Sequence, residues 1–405
     1  MEYQNLLSSS TRNMKSSLIR ELVASTKSIP DLISFAGGFP APATFPKHIL
    51  SELYLNVVNE DGYEVLQYGA SEGDIQLKNE LIKWEGYKEL TTQKMLITSG
   101  ATNGIFYFAK ALVDPGDVVL CEAPSFLGSL VAFEAIGAET IGIPVQEDGI
   151  DLDQLIHTIQ SLKRQNKQIK FLYLIPDFQN PSGVTMTLAK RKELIALCIK
   201  ENIPILEDNP YSRLRFFGKT VPTLYSVCAS DFAGAEIVTE IVSFSKILGP
   251  GMRLAFVKGS AEIISRMESW QQKITVTPDC VTQRVAALFL NKGFINPHIE
   301  TICNYYKPFL HKMLSELEIH MPDKVEWTKP EGGIFLWLWL PEKTNADELF
   351  ALAREQKVAF IPGSKFYPTG QEKFNCLRLN YTFSTETQIE KGIERLGNLL
   401  KTLLA

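Results

Sequence analysis

A lysine that follows a strand-like run has the setting that best predicts chemistry in this chain. Lys246 comes directly after EIVSFS, is flanked by Ser243 and Ser245, and precedes Arg253. Apolar neighbours and a nearby cation lower the pKa of a lysine amine, and a neutral amine can attack an aldehyde. Two hydroxyls and a guanidinium also suit a phosphate dianion. The structural alternative is a surface lysine whose alkyl chain lies along apolar neighbours.

Three further polar residues follow strand-like runs. Asp208 ends the apolar run IPILED, where a buried carboxylate needs a partner such as a cationic ligand nitrogen, and Tyr211 is close enough to contact the same ligand. Asn180 lies in FQNPSG, whose Pro and Gly predict a tight turn, and its amide could donate to a ligand oxygen. The alternatives are a capping role for Asp208 and plain turn chemistry for Asn180.

A phosphate site is predicted after the run KMLIT. The following residues, TSGATNGIF, are small and lead straight into a helical pattern. A helix N-terminus offers unpaired N–H groups and the positive end of the helix dipole, which favour an anion. Gly100, Ala101 and Thr102 are the candidate ligands, and an ordinary helix cap by Ser99 or Thr102 is the alternative.

The elements that position these residues read as an alternation of strands and helices between about 94 and 258. The helical patterns cover 103–113 and 188–201. The strand candidates are KMLIT (94–98), DVVLC (117–121), KFLYLIP (170–176), IPILED (203–208), EIVSFS (236–245, interrupted) and RLAFVK (253–258). Such alternation predicts an α/β domain with a mostly parallel sheet, whose ligands bind at the carboxyl ends of the strands.

The pattern changes after residue 258. Helical stretches cover 260–291, 298–317, 345–356 and 385–403, and the strand-like runs are VEWTK, GGIFLWLWL and NCLRLNYTF. We therefore expect a large domain at 46–290 and a small α+β domain at 291–405. Residues 1–45, with a short helix near 15–24 and the turn-rich FAGGFPAPATFP, are expected to join the small domain and cover the site.

Composition excludes several classes of function. The 405 residues carry a net charge of −5 without a basic run, so nucleic acid is not an expected partner. The longest apolar patch, IFLWLWL, is too short to cross a bilayer, so no membrane association is expected. Six cysteines without CxxC pairs fit a reducing, cytoplasmic location, and the five histidines show no metal-ligand spacing.

Taken together, the motifs carry a family resemblance. SFSKILGPGMRLAF, with DNPY and FQNPSG upstream, resembles the aminotransferases of fold type I, class I/II, which use pyridoxal 5′-phosphate (PLP), and most of all the 2-aminoadipate/kynurenine aminotransferase-like group. The likeness extends over nearly the whole chain, and its specificity lies in the order and spacing of the motifs. Its other motifs are SSLIREL, SFAGGFPAP, LQYGASEG, TSGATNG, EAPSF, PGSKFY and LRLNYTF.

The resemblance implies a fold and a cofactor site. The fold would be a large domain with a mostly parallel, seven-stranded type of sheet flanked by helices, plus a smaller α+β domain. Lys246 would bind PLP covalently and shuttle a proton, Asp208 would pair with the pyridinium nitrogen, and Asn180 and Tyr211 would hydrogen-bond the phenolic oxygen. The ring would stack on Phe126. The implied phosphate ligands are Ser243, Ser245, Arg253, Gly100, Ala101 and Thr102.

The resemblance also implies a substrate site and a homodimer. Arg378 would hold the substrate α-carboxylate, Gly38 and Asn180 would line the substrate pocket, and Tyr68 would reach the phosphate region of the other subunit. Two departures from relatives stand out. GAT replaces the common GSQ at 100–102, so Ala101 has no hydroxyl to offer, and Phe126, often Tyr in relatives, can stack but cannot donate.

The implied activity is amino-group transfer between an L-amino acid (2-aminoadipate, aromatic, branched-chain or similar) and a 2-oxo acid, with 2-oxoglutarate and glutamate as the expected pair, by a ping-pong mechanism. One alternative is a fold type I lyase or decarboxylase with the same cofactor. A second is a serine hydrolase, because Ser243 to Lys246 matches SxxK, although no SDN or KTG follows. A third is a regulator with an added DNA-binding module, for which the early start of the pattern is expected to leave no room.

Arg20 in SSLIREL matches a position that meets the distal groups of long substrates in relatives, with a helix-surface arginine as the alternative. We therefore expect Arg20→Ala to lower kcat/KM for dicarboxylic substrates more than for leucine or phenylalanine, because only dicarboxylic substrates lose a charged partner. Steady-state kinetics on the three substrate types measures this. An equal loss for all of them would contradict the assignment.

Overall fold

The computed structural model describes residues 3–8, 11–12 and 29–404. Its β-strands, in chain order, are β1 (Ile33–Ser34), β2 (Met95–Thr98), β3 (Val118–Ala123), β4 (Glu139–Gln146), β5 (Gly149–Ile150), β6 (Ile169–Leu174), β7 (Ile205–Asn209), β8 (Val238–Ser243), β9 (Ala255–Lys258), β10 (Glu326–Trp327), β11 (Phe335–Trp339), β12 (Val358–Ala359), β13 (Ile361–Pro362) and β14 (Cys376–Asn380).

The α-helices of the described residues are α1 (Lys47–Glu60), α2 (Gly62–Val65), α3 (Ile75–Glu85), α4 (Ala101–Leu112), α5 (Leu127–Ala135), α6 (Leu152–Arg164), α7 (Leu188–Glu201), α8 (Leu224–Asp231), α9 (Ala261–Ile274), α10 (Cys280–Asn291), α11 (Ile295–His320), α12 (Ala346–Glu355) and α13 (Glu386–Leu404). Single 3-10 turns cover Tyr3–Leu6, Pro42–Thr44, Thr92–Lys94, Phe244–Lys246, Pro250–Met252 and Gly363–Phe366.

The central sheet of the described residues has eight strands in the order β2-β9-β8-β7-β6-β3-β4-β5. Strands β8, β7, β6, β3 and β4 pair in parallel, whereas β9 and β5 are antiparallel to their neighbours. The inner strands β7 and β8 are buried along their whole length, as expected of strands covered by helices on both faces. The predicted α/β fold is confirmed.

Two details differ from the sequence-based expectation. Strand β4 had no counterpart among the strand candidates, because ETIGIPVQ contains Gly142 and Pro144 and alternates only weakly between buried and exposed residues. The helical stretch predicted over 260–291 is two helices, α9 and α10. They are separated by a turn in which Val276 has a φ of 63° and Pro278 cannot donate a helical hydrogen bond.

The C-terminal part contains an antiparallel sheet in the order β10-β11-β14-β13, together with α11, α12 and α13. Strand β1 pairs in parallel with β12, so the chain near residue 33 lies against this part. The division of the chain at residues 45 and 290 stays a prediction. The helix predicted near 15–24 lies outside the described residues.

Close backbone contacts join the C-terminal part to the loop after β7. The amide of Gly333 donates to the carbonyl of Leu214 at 2.8 Å, and the buried Tyr381 hydroxyl donates to the carbonyl of Gly333 at 2.6 Å. A Cβ on Gly332 would lie 2.1 Å from the Leu214 carbonyl oxygen, so only glycine permits this approach. The Tyr211 loop is thereby held against β11 and β14.

Among the described helices, none is both long and apolar enough to cross a bilayer.

Candidate active site

Lys246 lies in the single 3-10 turn that follows β8. Ser243 caps this turn, because its hydroxyl accepts a hydrogen bond from the Ser245 amide at 3.2 Å. The Lys246 amine donates to the Gly38 carbonyl at 2.8 Å. Burial, together with the positive charges of Arg378 and Arg253, lowers the pKa of Lys246 to about 8. A substantial fraction of this amine is therefore neutral near physiological pH, as a nucleophile or proton acceptor requires.

Asp208 is a buried carboxylate with one unsatisfied oxygen. Its Oδ2 accepts a hydrogen bond from the Tyr173 hydroxyl at 2.7 Å, whereas Oδ1 is buried and has no hydrogen-bond partner among residues 3–8, 11–12 and 29–404. Burial raises the pKa of Asp208 to about 6, and the hydrogen bond from Tyr173 offsets part of this increase. A buried carboxylate in this state calls for a cationic ligand group, which would satisfy both its charge and its free oxygen.

Arg378, on β14, is a buried cation with no carboxylate partner among the described residues. Its Nη1 donates to the Asn180 side-chain oxygen at 3.0 Å and its Nη2 to the Ala36 carbonyl at 2.9 Å. Its Nε is buried and has no partner in the described part of the chain. The guanidinium lies 4.0 Å from the ring centre of Phe335 and 4.9 Å from that of Phe366. Burial lowers the pKa of Arg378 to about 9. This arrangement suits a bidentate carboxylate ligand.

Asn180 and Tyr211 lie side by side next to Arg378. The Asn180 amide donates to the Tyr211 hydroxyl at 3.4 Å, and both residues are buried. Burial raises the pKa of the Tyr211 hydroxyl, so Tyr211 is a neutral donor. Direct contacts therefore connect five of the predicted site residues into one cleft, whose members are Lys246, Gly38, Arg378, Asn180 and Tyr211, with Ala36 as the backbone link.

The turn that carries Asn180 is tied to the loop that carries Phe126. The side-chain amide of Gln179 donates to the Pro124 carbonyl at 2.7 Å and to the Glu122 carboxyl group at 3.2 Å, and its oxygen accepts from the Ser182 amide. Burial raises the pKa of Glu122 to about 8, so this carboxyl group is largely protonated at neutral pH. Gln179 and Glu122 thus fix the loop that carries Asn180 relative to the loop that carries Phe126.

The sequence analysis missed Tyr173, Gln179 and Glu122. A signal existed for Tyr173, which places a hydroxyl within the otherwise apolar strand KFLYLIP. No local signal existed for the other two, because their partners belong to different strand ends.

Four of the predicted phosphate ligands, Gly100, Ala101, Thr102 and Arg253, lie around the N-terminus of α4, whereas Ser243 and Ser245 belong to the turn after β8. Gly100 has a φ of 90°, and a Cβ there would lie 2.5 Å from Nη2 of Arg253. Ala101 begins α4, so its amide and that of Thr102 belong to the helix end that lacks intrahelical partners. The exposed guanidinium of Arg253 and these amides form a cradle with positive potential, which suits a phosphate.

Three predicted residues are less closely tied to the cleft. Phe126 is half-buried at the start of α5, with its ring against Gly128. Tyr68 lies at the surface, 80% exposed, and within the described chain it makes no hydrogen bond or ring contact with the other predicted residues. Arg20 lies outside the described residues.

A family model for aminotransferase class I and II matches residues 30–396, which is nearly the whole chain. The chain belongs to this family. The aminotransferase therefore has the enzymatic activity that its sequence motifs predicted, and the serine hydrolase alternative is set aside. Consistent with this, Ser243 ends a strand and caps one short turn, whereas the serine of an SxxK site opens a helix.

Individual proteins with known names resemble the aminotransferase over its full length. Aromatic-amino-acid aminotransferase 1 of Thermococcus litoralis is 36% identical and covers 99% of this chain and 95% of its own. The structure of a multiple substrate aminotransferase from Thermococcus profundus matches with a TM-score of 0.94 at 34% identity, covering 100% and 99%. The structure of the alpha-aminoadipate aminotransferase of Thermus thermophilus, solved with N-(5′-phosphopyridoxyl)-L-leucine, matches with a TM-score of 0.90 at 34% identity. The match covers 100% of this chain and 99% of that chain.

The cofactor of the aminotransferase is PLP, and the buried groups of the cleft fit it. The free Oδ1 of Asp208 and its raised pKa call for a cation, which a pyridinium nitrogen supplies. At the cradle, only glycine at position 100 leaves room for the guanidinium of Arg253, which supplies a positive charge that fits a phosphate. The unpaired Nε of Arg378 calls for an acceptor, which a substrate carboxylate supplies.

We expect Asp208→Asn to stabilise the cofactor-free protein at neutral pH. Since the pKa of Asp208 is raised to about 6 in the folded state, ionisation favours the unfolded chain as pH rises through about 4 to 6. Above pH 7 the variant should gain up to roughly 3 kcal/mol in unfolding free energy, at 1.36 kcal/mol per pKa unit. Urea denaturation of both proteins at a series of pH values measures this difference. A gain that is the same at pH 4 and pH 7.5 would contradict it.

Proposed function

We propose that the aminotransferase moves the amino group of an L-amino acid to a 2-oxo acid in a ping-pong cycle, with glutamate and 2-oxoglutarate as one substrate pair. The observation that carries the proposal is the proximity of two groups. Arg378 is a buried guanidinium without a carboxylate of its own, and its charge contributes to the lowered pKa of Lys246. A receptor for an α-carboxylate therefore lies beside an amine able to take a proton from the adjacent Cα.

Lys246 and Arg378 would share the catalytic work on the substrate. Bidentate binding of the carboxylate by Arg378 would orient the Cα–H bond towards Lys246, whose neutral amine would remove the proton and return it to the neighbouring carbon. When bound, PLP supplies an electron sink for the bond that is broken at Cα. Asp208 would hold a positive charge on the ring nitrogen, since its own buried charge needs one.

The remaining predicted residues would position the cofactor. Asn180 and Tyr211 would donate to its phenolic oxygen, and Phe126 would stack on its ring. Side chains at the end of β8, backbone amides at the N-terminus of α4 and the guanidinium of Arg253 would bind the phosphate. These residues are Ser243, Ser245, Arg253, Gly100, Ala101 and Thr102, with Tyr68 contributed by the other subunit.

The proposed amino donors are long or aromatic L-amino acids. The support is the likeness to relatives named for aromatic amino acids, kynurenine and 2-aminoadipate, at 25–36% identity over nearly the whole chain. A cytoplasmic location is proposed because all six cysteines are free thiols, which fits a reducing compartment.

Half-reaction spectroscopy tests the activity. The purified holoenzyme mixed with excess glutamate, 2-aminoadipate or phenylalanine should convert its cofactor stoichiometrically to pyridoxamine 5′-phosphate and release one equivalent of 2-oxo acid. Added 2-oxoglutarate should reverse the change. Borohydride should fix the cofactor on the peptide that contains Lys246, and Lys246→Ala should lose both properties. A lyase or decarboxylase would instead release its products repeatedly without stoichiometric conversion of the cofactor.

We further propose a homodimer whose interface includes the surface around Tyr68. This surface exposes several large apolar side chains within a short stretch of chain, more than a monomer surface usually leaves uncovered. They are Leu55 (66% exposed), Tyr63 (104%), Leu66 (71%), Tyr68 (80%) and Ile75 (56%). A two-fold axis through this surface would bring Tyr68 of each subunit to the site of the other.

Mixed dimers test the role of Tyr68 across the interface. Lys246→Ala and Tyr68→Ala homodimers should each have low activity. In a heterodimer of the two, one site combines an intact Lys246 with an intact Tyr68 of the other subunit, so roughly half of wild-type activity should return by the two-fold symmetry of the assembly. Activity that stays at the level of the two homodimers, although the heterodimer forms, would place Tyr68 in its own subunit's site. A Tyr68→Ala homodimer with wild-type activity would place Tyr68 outside any site.

A further inference from the structure

Residues 36 to 39 contact both groups that would handle an amino acid. The Ala36 carbonyl accepts a hydrogen bond from Arg378 at 2.9 Å, and the Gly38 carbonyl accepts one from Lys246 at 2.8 Å. The next residue, Phe39, is 49% exposed. This segment therefore runs from the predicted carboxylate position, past the amine, to an exposed aromatic ring.

Phe39 does not stand alone. Its ring packs against that of Phe383 with 6.2 Å between ring centres and an interplanar angle of 64°. Phe383 is itself 54% exposed. Beneath the pair, the Thr382 hydroxyl donates to the Phe39 carbonyl at 2.9 Å, and Thr382 is in turn held by Asn380 at 3.0 Å. The two rings are thus fixed to the end of β14, the strand that carries Arg378.

The spacing matches the size of a substrate. A chain spans at most about 3.6 Å per residue, so Phe39 lies within about 11 Å of Ala36. An amino acid held with its carboxylate at Arg378 and its nitrogen near Lys246 must direct its side chain away from both groups. Phe39 directly follows Gly38, which Lys246 contacts, and the ring of Phe383 packs against that of Phe39.

We propose that Phe39 and Phe383 together form the wall that receives the side chain of the amino acid substrate, and that this wall selects aromatic and large aliphatic side chains. The inference rests on the proposed function and adds to it the two residues that contact the substrate side chain. An edge-to-face pair leaves ring surface available for a third aromatic group at the usual 4.5–7 Å. Neither ring has a hydrogen-bonding group, so selection follows the apolar area that the substrate buries.

Substrate panels on single variants test the wall. For wild type, Phe39→Ala and Phe383→Ala, kcat/KM is measured with L-phenylalanine, L-leucine and L-alanine against one 2-oxo acid. Either variant should reduce the ratio of the phenylalanine value to the alanine value about 10-fold, as expected for the loss of one aromatic contact. Phe39→Leu should retain the leucine-to-alanine ratio better than Phe39→Ala does. Phe374→Ala, which removes a 50% exposed ring from another loop, is the matched control and should leave both ratios unchanged.

Equilibrium binding gives a readout that does not depend on turnover. 3-Phenylpropanoate offers a carboxylate to Arg378 and a ring to the wall, whereas propanoate offers only the carboxylate. Calorimetry on the holoenzyme should show that both alanine variants lower the affinity for 3-phenylpropanoate about 10-fold and the affinity for propanoate much less. Thermal denaturation checks that the variants are folded.

Two results would contradict the proposed role of Phe39 and Phe383. One is an equal loss of kcat/KM for phenylalanine and alanine. The other is unchanged kcat/KM ratios together with unchanged affinity for 3-phenylpropanoate. Failure of the proposed function looks different, because a wild-type holoenzyme would then convert none of the three amino acids. The substrate ratios are interpreted only in an active wild type, so the two failures cannot be confused.

Discussion

The burial of unpaired charge is the constraint on which the cleft depends. Among the described residues, Arg378 has no carboxylate as a hydrogen-bond partner, and Asp208 has a buried oxygen without any partner. Each charge is costly to bury alone. In the proposed function each would be matched by a group that the ligands bring, a carboxylate for Arg378 and a ring cation for Asp208. Because Arg378 also lowers the pKa of Lys246, the same constraint prepares the amine for its chemistry.

The scaffold holds these charges apart by placing them on different elements. Asp208 lies near the end of β7 and Lys246 follows its parallel neighbour β8, whereas Arg378 belongs to the antiparallel sheet of the C-terminal part. The hydrogen bond between Gly333 and Leu214, together with the Tyr381 hydroxyl, fixes one part against the other. The hydrogen bond between Arg378 and Asn180 adds a direct contact between the two parts.

Residues 36–39 add a second layer of control. They are tied to the C-terminal part, since Phe35 donates to Ala359 and accepts from Asn380, and they reach Lys246 through Gly38. Backbone carbonyls therefore occupy positions beside both reactive groups, while the exposed rings at the end of the segment face outward. Binding of the carboxylate, transfer of the proton and selection of the side chain would consequently depend on a single short stretch of chain.

The sequence alone predicted six of the eight strands that the described residues place in the central sheet, and candidate residues near their ends. Lys246, Asp208 and Asn180 could be predicted because each lies at or soon after the carboxyl end of a strand, where the ends of parallel strands converge. Arg378 was recognised only through the family resemblance, since nothing in LRLNYTF itself indicates a buried cation without a carboxylate partner.

The tertiary structure decided which of these residues meet and what holds them. Tyr173 contacts Asp208 across 35 residues, Gln179 contacts Glu122 across 57, and Phe39 pairs with Phe383 near the far end of the chain. Such contacts leave no periodicity or local motif, because they arise only when separate strand ends are packed side by side. Sequence spacing therefore identifies the groups that react, whereas folding determines their partners and, through them, their charge states.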